Sequence, residues 1–138
     1  MGEVLKIKQL NDQELALSRL LVYANHFQKL TEPKSISKEM ADGLLACAPK
    51  RRSMRMEDIF YSVIKKYPDG VVIKDIDVMF NPEYKIDVLK ILISARKRKK
   101  YYVIWPGRIE KGKLIYGEEG FPDYKEYNIT DYDITFVK

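Results

Sequence analysis

Five breaks divide this chain into short segments and so limit what it can build. They are Thr31-Glu32-Pro33, Cys47-Ala48-Pro49, Pro68-Asp69-Gly70, Asn81-Pro82 and Pro106-Gly107. Proline lacks the N–H that a helix interior uses and fixes φ, while glycine admits positive φ, so each break ends an element or turns the chain. No apolar run between them approaches the roughly 18 residues of a membrane span. With 138 residues in all, the chain suffices for one compact domain or two very small units.

Between the breaks, hydrophobic spacing assigns the elements. Residues 3–9 read as a strand or an arm. From Asn11, with Glu14 three residues on as in a capping box, apolar residues recur near helical spacing at Leu15, Leu17, Leu20, Leu21, Ala24 and Leu30. That pattern predicts a helix over 11–30. Ser37 opens a second helix, to about residue 46. The two form an expected N-terminal helical hairpin, unit 1–49, that packs on the rest or dimerises. Lys50-Arg51-Arg52-Ser53 marks the boundary with a second unit, 50–138. There Ser53 caps a helix over 54–67, and Pro68-Asp69-Gly70 turns into a short strand at Val71-Val72. A short helix follows over 74–80, then a longer helix over 83–99. The β-prone runs 101–105 and 113–116 flank a loop containing Gly107 and Gly112. Residues 126–137 partly alternate and predict a C-terminal strand or ordered arm.

Charge is unevenly spread. The net charge is +5, but residues 49–100 carry fourteen basic and seven acidic side chains, against balance before them and a slight acidic excess after. Such clustering is the footprint expected for a phosphate-rich partner, although a lysine-rich solvated face produces it too.

The element order from residue 54 is helix, tight turn, short strand, short helix, break, longer helix, β-hairpin. The stretch that carries it, "MEDIFYSVIKKYPDGVVIKDIDVMFNPEYKIDVLKILISARKRKKYYVIW", resembles the winged helix-turn-helix superfamily of DNA-binding domains over residues 54–117. The resemblance implies an α+β fold with 83–99 as recognition helix in the major groove and 101–116 as the wing. It implies double-stranded DNA as partner and a small transcriptional regulator, or a replication or segregation accessory factor.

A helical wheel places Glu83, Asp87, Lys90, Ser94, Lys97 and Arg98 on one face and leaves Val88, Leu89, Leu92, Ile93 and Ala95 for the core. Arg96-Lys97-Arg98-Lys99-Lys100 ends this helix. Cations there suit the macrodipole, yet five in a row exceed that need and suit phosphates flanking a groove. Arg108, Lys111 and Lys113 sit on the expected wing. Arg51, Arg52 and Arg55 stand at the start of the first motif helix, where cations oppose the dipole, so a phosphate contact explains them better than helix stability does. A homodimer would set two recognition helices on adjacent half-sites.

Two other readings use the same residues. One is a winged-helix adaptor whose basic face meets an acidic protein. The other is binding of single-stranded nucleic acid or RNA, with Tyr101, Tyr102 and Trp105 as stacking rings. Alternation instead puts Tyr101, Val103 and Trp105 together on one side, as a core cover would. Nothing favours an enzyme. His26 is the single histidine and Cys47 the single cysteine, so no zinc ligand set and no internal disulfide arise, and no glycine-rich phosphate loop is present. Asp123, Glu126, Asp131 and Asp133 in the tail lack convincing metal-ligand spacing. The expectation is a cytoplasmic, cofactor-free protein that does not enter a membrane.

Overall fold

The computed structural model describes residues 2–6, 19–29 and 32–138. Among these, the strands in chain order are β1 (Glu3–Leu5), β2 (Leu20–Tyr23), β3 (Lys34–Ser35), β4 (Val71–Lys74), β5 (Tyr101–Ile104), β6 (Arg108–Glu110), β7 (Lys113–Tyr116), β8 (Lys125–Asn128) and β9 (Ile134–Val137). The helices are α1 (Ser37–Leu45), α2 (Arg52–Ile64) and α3 (Val88–Arg96), and short 3-10 segments lie between elements along the chain. The chain is thus mixed α/β, with two sheets.

The larger sheet has six strands in the order β1-β9-β2-β5-β4-β3, and every neighbouring pair is parallel. The smaller is an antiparallel meander, β6-β7-β8. All residues of β2 and β9 are buried, as are Tyr101, Val103, Ile104 and Trp105. A strand covered on both faces reads as an unbroken apolar run rather than an alternation. This is why Leu20–Tyr23 imitated a helix in the sequence: Leu20, Leu21 and Ala24 fit the 3.6-residue period, but Val22 and Tyr23 are apolar as well. The helix expected over 11–30 is therefore corrected at 20–29, which form β2 and the 3-10 helix Asn25–Lys29. Residues 11–18 lie outside the described residues. The boundary expected near residue 49 falls within one sheet, since β1, β2 and β3 pair with strands from the later part of the chain.

Alternate residues divide the core. On one face Leu20, Val22, Ile73, Tyr101, Val103, Ile134 and Phe136 pack with the buried sides of α1, α2 and α3, with Leu114 and Tyr127 of the small sheet and with Ile129 of the 3-10 turn that follows it. On the other face Leu21, Tyr23, Ile104 and Val137 pack with Phe27 of the 3-10 helix. The steps β3 to β4 to β5 to β9 run one way along the sheet and use the first face. The step from β2 to β3 runs the other way and uses the second, as a single crossover hand requires. Gly43 lets α1 approach α2, for a Cβ there would stand 2.8 Å from Ile59 Cγ2. At the strand starts, Arg19 ties three strands together. Its Nε donates to Asp133 at 2.9 Å and its Nη1 to Glu3 at 3.1 Å, and the fully buried Thr135 donates its hydroxyl to Glu3 at 3.2 Å.

A six-stranded parallel sheet fits a winged helix poorly. The expected wing would pair 101–105 with 113–116. Instead β5 joins β2 and β4, while β7 pairs with β6 and β8. The apolar run 101–105 finds two covered faces only at the sheet centre. The β6–β7 turn is nonetheless a tight hairpin, with positive φ at both Lys111 (50°) and Gly112 (76°), the geometry that matches strand twist. The helix expected over 83–99 shrinks to α3. Pro82–Tyr84 is a 3-10 turn, Lys85 is left-handed, and Asp87 caps α3 by accepting from the Lys90 N–H at 3.2 Å. The helix expected over 74–80 is reduced to a 3-10 turn, Asp77–Phe80. The predicted C-terminal strand is two, β8 in the small sheet and β9 in the large one.

Tyrosine hydroxyls join the small sheet to the rest. Tyr132 donates to Asp87 at 2.7 Å and Tyr116 to Asp77 at 3.1 Å, while the Tyr116 ring stacks on Phe80 at 3.9 Å. Burial and the adjacent carboxylates raise the pKa of both tyrosines. Burial, then the Asp87 charge, pushes Tyr127 up to about 12. The Tyr127 hydroxyl is buried, and the nearby Val88 N–H does not complete a well-formed hydrogen bond to it. A group harder to ionise when folded lends stability that is whole below the unfolded pKa, near 10, and is lost as pH rises through the folded value. Urea midpoints should therefore hold level from neutral pH to about 9 and fall above about 10. Tyr127→Phe should keep neutral-pH stability within about 1 kcal/mol, because it removes an unsatisfied buried group, and should make the alkaline fall shallower.

Candidate nucleic-acid interface

α2 and α3 each lead into a strand of the same parallel sheet, so they lie side by side with their C-terminal ends together. Contacts repeat across their seam one turn apart. Ser94 Oγ donates to Glu57 at 3.0 Å. Four residues later in each segment, with Arg98 just past the end of α3, the Arg98 guanidinium carbon lies 3.7 Å from the centre of the Tyr61 ring. Lys65, which caps the end of α2 four residues after Tyr61, holds its Nζ 6.0 Å from the same ring. The i, i+4 spacing along the two helices and their C-terminal caps aligns these rungs.

The thirteen expected contact residues do not form one ridge. Lys97, Arg98 and Lys100 are exposed at the C-terminal end of α3, beside exposed Lys65 and Lys66. Arg51 and Arg55 are exposed at the other end of α2, with Lys50, and line an open depression against Gly43, Cys47 and Ile59. At 1.5 Å per residue, the length of α2 separates these two groups by about 20 Å. Lys90 is exposed in the first turn of α3, between them along the chain. Arg108 and Lys113 are on the small sheet and already held: Arg108 by Glu110 and the Gly117 carbonyl, both at 3.0 Å, and Lys113 by Glu126 at 3.2 Å. Lys111 is exposed at the hairpin turn.

Other cations serve the fold. Arg52 donates its Nε to the Leu44 carbonyl at 2.8 Å and the Cys47 carbonyl at 3.2 Å, satisfying acceptors that the end of α1 leaves open. Lys99 is 9% exposed, pairs with Asp69 at 3.0 Å and donates to the Tyr67 carbonyl. Arg96 is half-buried, and Ser94 is taken up by Glu57. Arg55 reaches Asp58 only at 4.0 Å. None of Lys50, Arg51, Lys66, Lys90, Lys97 and Lys100 forms an ion pair among the described residues.

The wheel separated core from surface on α3: Val88, Leu89, Leu92 and Ala95 are buried. It left too much surface, for Ile91, Ile93, Ser94 and Arg96 are half-buried too and only Lys90 within the helix is exposed. A helix sunk this far between α2 and the sheet does not stand out as a major-groove reader must. The stacking alternative loses two of its three rings, and the third, Tyr102, is half-buried with its ring set edge-on to Tyr23. Tyr101 and Trp105 are fully buried, with the Tyr101 hydroxyl donating to the Leu92 carbonyl at 2.5 Å and the Trp105 indole to Ile115 at 3.0 Å. Two residues that sequence reasoning passed over, Tyr61 and Lys65, join the cation cluster. Their signal was faint, an i, i+4 pair at the end of α2, and only the seam brings them to Arg98.

Compared with protein-family models, with curated proteins and with solved structures, the chain matches none. Among the described residues, no helix is long and apolar enough to cross a membrane. Arg51 and Arg52 make the division of labour testable side by side. Arg52→Ala should lower stability by about 1–2 kcal/mol, because carbonyls at the end of α1 lose their donor. Arg51→Ala, at an exposed site, should change it by under about 0.5 kcal/mol in the same urea titration.

Proposed function

We propose that this protein binds the phosphate backbone of double-stranded DNA with its α2–α3 layer, in place of major-groove docking by α3. The observation that carries the reading is the group of exposed cations, Lys65, Lys66, Lys97, Arg98 and Lys100, where α2 and α3 end side by side. A helix C-terminus favours nearby cations, by about 0.3–1 kcal/mol each, but that need is met within the last turn. Lysines beyond it, without acidic partners, are what a polyanion would neutralise.

The second group, at the start of α2, supports the same reading from the other side. Lys50, Arg51 and Arg55 stand where the dipole repels cations, and the first turn of α2 contains no acid to offset them. A duplex holds its phosphate rows at set separations, so two rigid cationic groups about 20 Å apart suit it better than a flexible single strand. Backbone contact of this kind positions a protein without reading sequence, so the function that follows is packaging, protection or tethering of DNA, with regulation at particular sites needing a further specificity element.

Fluorescence anisotropy tests this with duplex DNA, single-stranded DNA and RNA at about 50 and 200 mM salt. Duplex binding should be preferred, should vary little with sequence and should weaken steeply with salt. Lys97→Ala should weaken it uniformly across sequences and lower the salt slope by about 0.9. No duplex binding at low salt overturns the proposal and favours an acidic protein partner for the same face.

A further inference from the structure

We propose that Tyr61, Lys65 and Arg98 form a defined phosphodiester-binding position on this face, with Tyr61 as the residue that positions the Arg98 guanidinium. The inference rests on the duplex-binding reading above. A guanidinium carries its five N–H donors in its own plane and none on its faces. The Tyr61 ring, 3.7 Å from Arg98 Cζ, therefore occupies a surface that could not donate and leaves the donating edges free. An exposed arginine otherwise loses much rotamer freedom on binding, and a ring that holds it flat removes part of that cost beforehand. Lys65 adds a second positive charge beside the same ring.

The surrounding acids do not compete for this arginine. Glu57, one turn before Tyr61 on α2, accepts from Ser94. Asp69 is paired with Lys99. Asp58 is 4.0 Å from Arg55, one turn before it on α2, and forms no ion pair with Arg98. The stack also decides what kind of nucleic acid the position takes. Single-strand binders lay bases on free aromatic faces. Here Arg98 lies over the Tyr61 ring, Tyr101 and Trp105 are buried, and the half-buried Tyr102 is set edge-on to Tyr23. What is offered is a fork for phosphate oxygens, which matches an intact duplex that keeps its bases inside.

A double-mutant cycle on the full chain tests the position, read as duplex affinity and its salt slope. Tyr61→Leu should weaken duplex binding about three- to tenfold, the range of a cation–π contact, with the slope unchanged because the charge remains. Tyr61→Phe keeps the ring and should bind like the unaltered protein. Arg98→Ala should lower the slope by about 0.9, and adding Tyr61→Leu to it should change nothing further. Single-stranded DNA and inorganic phosphate serve as competitors: displacement of duplex by single strands at equal nucleotide concentration would overturn the duplex assignment, and displacement by millimolar phosphate would reduce the position to a simple anion site. Duplex binding that ignores Tyr61→Leu, or a Tyr61→Leu effect that persists without Arg98, overturns this inference alone. Failure of the unaltered protein to bind duplex overturns it together with the proposed function. Circular dichroism and urea midpoints of each variant separate lost contact from lost fold.

Discussion

The structure depends on burying β2, β5 and β9 on both faces at the centre of a parallel sheet. Each unpaired N–H or C=O at that depth would be costly, so the ladder must be complete and both faces must be covered. The helices α1, α2 and α3 cover one face, and Phe27 of the 3-10 helix Asn25–Lys29 packs on the other. Parallel strands also require long crossovers, and α2 and α3, each leading directly into a strand of this sheet, run in the same direction.

That common direction gives the molecule its electrical character. Because α2 and α3 run parallel, their negative dipole ends meet at one end of the layer, and Lys65, Lys66, Lys97 and Arg98 collect there. The run of five cations that ends α3 is thus divided by the fold. Arg96 is half-buried, Lys99 is tied to Asp69 and the Tyr67 carbonyl, and Lys97, Arg98 and Lys100 face solvent. A similar division occurs among the arginines that open α2, where Arg52 closes the end of α1 while Arg51 and Arg55 remain exposed. Adjacent cations in the sequence can therefore do unrelated work, and burial with backbone partners tells them apart.

Much of the local structure was legible in the residues. Pro68-Asp69-Gly70 turns the chain before β4, with Gly70 at φ 89°. The apolar face of α3 and the inward side of 101–105 follow from periodicity. The large misreading came at Leu20–Tyr23, where an apolar run that satisfies two periods at once was read with the longer one. A second came at 83–99, where charge and apolar spacing continued across a left-handed Lys85 and hid the true start of α3 at the Asp87 cap. The resemblance in element order to a winged helix came from helix, strand and hairpin following one another. Order along the chain does not reveal whether strands pair parallel or antiparallel.

By itself, the sequence determined the punctuation, the apolar faces and the concentration of positive charge between residues 49 and 100, because these are properties of neighbouring residues. Only the tertiary structure decided which strand is central, which cations are spent on carbonyls and carboxylates, and that Tyr61 lies under Arg98 from another helix. Those outcomes depend on contacts between segments far apart in the chain, and such contacts are set by which faces can be buried together.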